Sequence, residues 1–452
     1  MIESSFSRRG FLQAGAAAGA LAAAPSIFAR NGAKGANETI NIALIGCGGR
    51  GSGAIVNALN ADKNTRLVAI GDVWADKIPG VLNGLKGFGD RTVVGEDRRF
   101  SGVDAYKAIM ALPDVDLVIL TTPPGFRPLH IEAAVEAGKH VFAEKPLAVD
   151  PAGWRKVKAA TDKAKEKGLC FMTGFCYRWD MPKVEAMNQV LGGKDKNATA
   201  AYTREVLGVS APSASLLGDV KAAYCHYNTG GLWVKNIDPS WSKAEIQLRN
   251  WLYYTWLSGD HIVEQGIHNV DKISWVFNDE APVGCTSMAG RQSRTDEKFG
   301  NIYDHFAVRY DFSGNRYAMF SCRQQEGTAS DVSDRIIGSN GYMNLQEGRP
   351  QIVDNAGKQL WRYNNPKGGD MYNNEHKVLN AAIRAGNAFN CAEQALNSCA
   401  MGIMGRIAGY TGQYVKYEDF LKMEEDLFPA GFNLGMDLAF PAVAIPGKTK
   451  IK

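Results

Sequence analysis

The chain has 452 residues, 45% hydrophobic and 22% charged, which supplies two domains with cores of their own and excludes a disordered or collagen-like chain. Lys and Arg number 51 against 47 Asp and Glu, a formal charge of +4, too even a balance to point to nucleic acid or an anionic membrane as partner. Glycine is frequent at 49 residues, above the background of about 7%, which suggests tight turns and backbone lying close to a small ligand.

Residues 1–29 read as an export leader: Ser7-Arg8-Arg9-Gly10-Phe11-Leu12-Gln13 is followed by an Ala/Gly/Leu run from Ala14 to Ala24. The paired arginines before Phe11-Leu12 resemble the twin-arginine signal, an address read on proteins that cross the membrane already folded. A periplasmic protein is therefore expected. Cleavage after Ala29 removes Arg8, Arg9 and Glu3 and leaves a charge of +3. The apolar run is too short for a membrane span, so no anchor is expected in the mature form. None of the eight cysteines, Cys47 to Cys399, forms a C-x-x-C or a Cys/His cluster of zinc spacing, so no metal site is expected.

After a polar linker at 30–39, Ile40 to Ile45 is a short apolar run that ends in glycines, the pattern of a buried parallel strand. Arg66 to Ile70, Val115 to Leu120 and His140 to Ala143 repeat it, with helical patterns over Ser52 to Asn60, Ile131 to Glu136 and Trp154 to Gly168 between and after them. Alternating strands and helices predict a doubly wound parallel sheet over residues 40–173. From 174 to 452 the pattern shifts to alternating strands, with a hairpin signal at Ser313-Gly314-Asn315 between His305–Phe312 and Arg316–Cys322. An α+β domain with a large, mostly antiparallel open sheet is expected there, and copies of the chain are expected to pair through that sheet. His226 to Leu257, dense in Tyr, Trp, Asn and Gly, reads as an irregular ligand-facing loop.

Gly46-Cys47-Gly48-Gly49-Arg50-Gly51 follows the first strand and opens the first helix, and Asp72 ends the second strand 21 residues beyond Gly51. This combination predicts a Rossmann dinucleotide site: Gly46 for the turn, Gly48 for close approach of the pyrophosphate, Gly51 for helix packing. Asp72 accepts the ribose hydroxyls and repels a 2′-phosphate, which favours NAD over NADP.

These residues, with the Thr122-Pro123 loop, His130 and above all Ala143-Glu144-Lys145-Pro146, resemble the Gfo/Idh/MocA family of sugar and inositol oxidoreductases. Gly174-Phe175-Cys176-Tyr177-Arg178 and Gly266-Ile267-His268-Asn269-Val270-Asp271 extend the resemblance. It implies that Gly46, Gly48, Gly49, Arg50, Gly51, Asp72, Thr122, Pro123, His130, Glu144 and Lys145 hold the cofactor. Tyr177 and Arg178 are carried over as substrate-pocket residues. Lys145, at a strand's carboxyl end, would stabilise a developing alkoxide, and His268 would take the hydroxyl proton. Glu264, four residues earlier and so one helical turn away, would orient or share that proton; the family usually has Asp there. Asp260 and His261 are rivals for the acid/base role or sugar ligands, and Trp256, with Trp233, Trp251, Tyr253 and Tyr254, offers aromatic platforms.

The expected activity is oxidation of a secondary alcohol of a sugar, polyol or glycoside. Export implies a tightly held NAD, restored within each cycle. The alternative is an NAD-dependent glycosidase or lyase that passes through a transient 3-keto intermediate.

Overall fold

The computed structural model describes residues 34–450 except 36, 196–198, 346–348 and 366–368. The segment expected to be a twin-arginine leader and half of the linker, residues 30–33 and 36, lie outside the described residues. The first half alternates β1 (Ile40–Ile45), α1 (Gly49–Ala61), β2 (Thr65–Asp72), β3 (Arg99–Ser101), β4 (Leu117–Leu120), α2 (Arg127–Glu136), β5 (His140–Ala143), α3 (Pro151–Glu166) and β6 (Phe171–Thr173). Its six strands are all parallel, in the order β3-β2-β1-β4-β5-β6. Chain order reverses between β1 and β4, and doubly wound sheets bind ligands at the carboxyl ends of such strands. β4 and β5 are buried at every position, as helices on both faces of a parallel sheet require.

The second half contains β7 (Val220–Thr229), α4 (Lys243–Arg249), α5 (Ile267–Val276), β8 (Gly284–Gly290), β9 (His305–Phe312), β10 (Arg316–Gln324), β11 (Asp334–Gly338), β12 (Gly341–Asn344), β13 (Gln351–Asp354), β14 (Gln359–Arg362), α6 (Met371–Ala385), α7 (Ala392–Thr411) and β15 (Val415–Lys416). Nine strands form one sheet in the order β14-β13-β12-β11-β7-β10-β9-β8-β15, antiparallel throughout except for the β7/β10 pair. Along β9, Phe306, Val308, Tyr310 and Phe312 turn inward while alternate residues face out, the period of two of a one-sided sheet. α7 is buried almost all round, so it is a core helix rather than a surface one. Gly402, Gly405 and Gly409 let it come close: a Cβ on Gly409 would lie 2.7 Å from the Cβ of Ala289 on β8.

One expectation fails here. His226 to Leu257 is not one irregular loop: its start lies in β7, in the middle of the large sheet, and its end is helical. Tyr253, Tyr254, Trp256 and Leu257 are buried in a second apolar cluster with Phe126, so their aromatic surface closes a core. All eight cysteines are buried thiols, and among the described residues no helix is long and apolar enough to cross a membrane.

Candidate active site

Gly46 has φ +102°, a conformation other residues rarely adopt, and a Cβ on Gly51 would lie 1.9 Å from the Gly46 carbonyl oxygen. Glycine is thus required for α1 to start so close behind β1. A Cβ at Gly48 or Gly49 would meet nothing within 4 Å, and no side chain caps α1 at Gly48. The first-turn amides of α1 therefore face an open cradle, which suits a pyrophosphate. Asp72 ends β2 with Oδ2 accepting from the Cys47 amide at 2.5 Å and Oδ1 from the Trp74 amide at 2.8 Å. Each oxygen keeps a lone pair for a ribose hydroxyl. The residues present fit a dinucleotide.

The cradle opens into a cavity of about 280 Å³ whose lining includes Arg50, Thr122, Glu144, Lys145, Glu264 and His268. Lys145, at the end of β5 and followed by a cis peptide to Pro146, donates from Nζ to the Glu264 carbonyl oxygen at 2.6 Å and to its Oε1 at 3.0 Å. An ammonium has three N–H bonds, so one remains for a substrate oxygen. Burial works against its charge, but Glu264 and Glu144 outweigh burial and raise the ammonium above its ordinary value. Lys145 is therefore a cationic donor rather than a base.

Glu264 and His268 do not share one helix. Glu264 ends a helical turn, His261–Glu264, and His268 lies on α5 beyond Gly266. Gly266, between them, packs so close to β10 that a Cβ there would lie 2.9 Å from the Phe320 ring. Both side chains still reach the same cavity. His268 is held well below the ordinary imidazole range, by burial first and then by the cations Lys145, Lys272, Lys183 and Arg50. Its Nδ1 is buried without a hydrogen-bond partner, and the Tyr177 ring packs 5.1 Å from its own. A neutral imidazole beside a held ammonium is the pair needed to remove a hydroxyl proton and receive the resulting charge.

Several expected site residues have structural work instead. Arg178 is buried and donates to Asp271 at 2.9–3.0 Å and to Asp279 at 2.6 and 3.1 Å, so its guanidinium does not line the cavity. Asp260 is fully buried with φ +73°. It accepts from the His261 amide and Nδ1, the Tyr303 amide and the Tyr410 hydroxyl, and these bonds hold the turn that carries Glu264. His261 packs on Phe306, and Trp256 packs on Phe432 and donates to Gln247. His130, held down to about 3 by burial and then by Arg127, acts only through Thr122, 3.1 Å away. Glu144 pairs with Arg50 at 2.7 Å, and Pro124 rather than Pro123 lines the cavity.

Arg127, Cys176 and Tyr372 also line the cavity without a sequence signal for that role, and of the expected aromatic platforms it is Trp251, not Trp256, that lines it. Buried Arg127 donates to the Pro146 carbonyl and to the Thr122 carbonyl at 2.5 Å, tying together the two loops that flank the site. Tyr372, from distant α6, lies 4.6 Å under the Arg50 guanidinium. A larger cavity of about 860 Å³, between Tyr254, Arg291, Tyr303 and the tail at Phe440 to Pro446, has no histidine in its lining, and its Lys298 pairs with exposed Asp296 at 3.9 Å rather than with a buried carboxylate. The smaller one brings Lys145, Glu264 and His268 together.

The glycine cradle, the acid at the end of β2 and the reversal of strand order define an NAD-binding Rossmann domain of the oxidoreductase class. Residues 40–175 match the model of the Gfo/Idh/MocA oxidoreductase family, NAD-binding Rossmann fold. Inositol 2-dehydrogenase 3 of Saccharopolyspora erythraea is 24% identical over 323 residues, 71% of this chain and 77% of that protein. A glycosyl hydrolase family 109 protein of Shewanella pealeana is 30% identical over 173 residues, 37% of this chain and 36% of the relative. Several curated relatives that it matches are spanned over less than half of their length. The aldose-aldose oxidoreductase from Caulobacter crescentus, solved with glycerol, has the same fold at 20% identity, with a TM-score of 0.62 over 84% of this chain and all of that one.

Proposed function

We propose that the chain is an exported NAD-dependent oxidoreductase that acts on a secondary alcohol of a sugar, polyol or glycoside with a retained cofactor. The observation that carries this reading is the convergence of Lys145, Glu264 and His268 in one cavity below the dinucleotide cradle. NAD held in the cradle by the first-turn amides of α1 and by Asp72 would supply the hydride acceptor. His268 takes the hydroxyl proton, Lys145 donates its remaining N–H to the oxygen as charge builds, and Glu264 holds that ammonium in place. The inositol dehydrogenase and aldose-aldose oxidoreductase relatives support a carbohydrate or polyol substrate. The open face of the large sheet, where Met288 is 79% exposed, is where copies of the chain would pair.

The glycosyl hydrolase relative favours a second reading, in which a hydride passes from C3 to NAD, the acidified C2 proton is lost, the C1–O bond breaks and the aglycone leaves as its alcohol, water adds across the resulting C1–C2 double bond, and the hydride returns from the reduced cofactor to the ketone. One experiment tests both. Protein is recovered from the periplasmic fraction and supplied with inositols, aldoses and aryl glycosides, and reduced-nicotinamide absorbance and free aglycone are followed. Cofactor reduction by a polyol or aldose is expected; aglycone release without net reduction identifies the second reading. Neither signal sinks both, and protein found only in the cytoplasm sinks export.

A further inference from the structure

The connection between β7 and α4, residues 230–242, belongs to the second domain but reaches the mouth of the dinucleotide site. It begins at Gly230-Gly231 and is exposed at Trp233 and from Lys235 to Ser240, with only Leu232 and Val234 turned in between. Those two join the apolar cluster that also takes in Val73, Trp74 and Val103, from the loops after β2 and β3. Contacts from Arg249, Asn250 and Tyr253 fasten the segment. The Arg249 guanidinium lies 3.8 Å from the Trp74 ring centre and 4.5 Å from that of Trp241. Asn250 brackets Lys235, accepting from its amide at 2.8 Å and donating to its carbonyl at 3.2 Å. The Tyr253 hydroxyl reaches the carbonyls of Leu232 and Trp233 at 3.1 and 2.9 Å.

Trp74 links this segment to the cofactor site directly, because its amide holds Oδ1 of Asp72, the ribose acceptor. Lys235 is in electrostatic reach of the same carboxylate: partial burial lowers its ammonium, Lys77 and Arg249 add to this, and Asp72 and Asp76 oppose it. We propose that residues 230–242 form a strap, latched by the Trp74–Arg249–Trp241 stack, that covers the adenosine-ribose end of the NAD site and sets the rate at which NAD leaves. It rests on the NAD-site reading above and deepens it. An arginine suits the latch, since a planar guanidinium stacks between two indoles where an ammonium does not. With little apolar surface buried along 233–240, the strap can open locally while both domains stay folded. NAD bound beneath it favours the closed form, by linkage.

The test measures NAD release from the full chain by exchange against excess labelled NAD, with calorimetry for affinity. Arg249→Lys and Asn250→Ala are expected to speed release about tenfold or more, which is about 1.4 kcal/mol, and Lys235→Ala to speed it less. Unchanged release in variants whose NAD-free melting matches the parent overturns the strap. A second readout needs no substitution: NAD is expected to slow proteolytic cutting within 230–242 of the parent protein, and equal cutting with and without NAD overturns the proposal. Protein that holds NAD behind this strap but reduces it with no alcohol sinks the activity reading alone, whereas protein that purifies without NAD and binds none by calorimetry overturns both.

Discussion

Burial acts on Lys145 and His268 in the same direction, against the charged form, yet the two residues end in opposite states because their neighbours differ. Glu264 and Glu144 keep the Lys145 ammonium charged, while nearby cations add to burial and keep His268 neutral. Division of labour between donor and base follows from that asymmetry. Lys145→Ala or His268→Ala is expected to lower turnover by about 10²-fold or more with NAD affinity near normal, because both act mainly in the transition state. Since His268 stays unprotonated well below its ordinary value of about 6.5, kcat/KM should remain level as pH falls through that point. A steady-state pH profile checks this; a limb near pH 6.5 that persists in His268→Ala would assign the base elsewhere.

At the scale of elements, the site is assembled by loops at strand ends, and their relative placement depends on few contacts. Arg127, the first residue of α2, joins the loop after β4 to the loop after β5 through two backbone carbonyls. Burial lowers this guanidinium to about 10, although Glu144 opposes the shift. Removing it leaves two buried carbonyls without a donor, at a cost of about 1–3 kcal/mol each. Arg127→Leu is expected to destabilise the chain by about 2–4 kcal/mol in denaturant melts and to weaken NAD binding, since Thr122 loses its anchor. Unaltered stability and affinity would show the loops to be held by other contacts.

For the whole molecule, buried neutral histidines make stability depend on pH. His130 and His376 are both held down to about 3, by burial first and by Arg127 and Arg50 respectively; both ring nitrogens of His376 lack partners, and it stacks 4.3 Å from Phe142. A lowered value in the folded state means that, as pH drops below about 6.5, the unfolded chain binds protons that the folded chain refuses, and stability is lost. Asp150, pushed up to about 6 by burial, has the opposite sign, so the informative quantity is a difference between variants. His376→Phe cannot titrate and is expected to lose less unfolding free energy than the parent between about pH 6.5 and pH 4. Parallel curves from denaturant titrations would count against this account of the buried imidazole.

The sequence by itself determined whatever depends on local spacing. Short apolar runs ending in glycine marked the parallel strands, the glycines and Asp72 marked the dinucleotide site, and Glu144-Lys145 and His268 marked residues that line one cavity. In each case the backbone conformation or the residue type leaves few alternatives: Gly46 needs positive φ, and Gly51 has no space for a Cβ. Only the tertiary structure decided which polar and aromatic side chains reach the cavity. Asp260, His261, Arg178 and Trp256 have the same composition signals as site residues, but long-range partners such as Tyr410, Phe306, Asp279 and Phe432 draw them into the core. Arg127, Tyr372 and the Trp74–Arg249 latch had no local signal, because each works by joining segments far apart in the chain. Burial and pairing across such separations are properties of the packed molecule, and no window of sequence contains them.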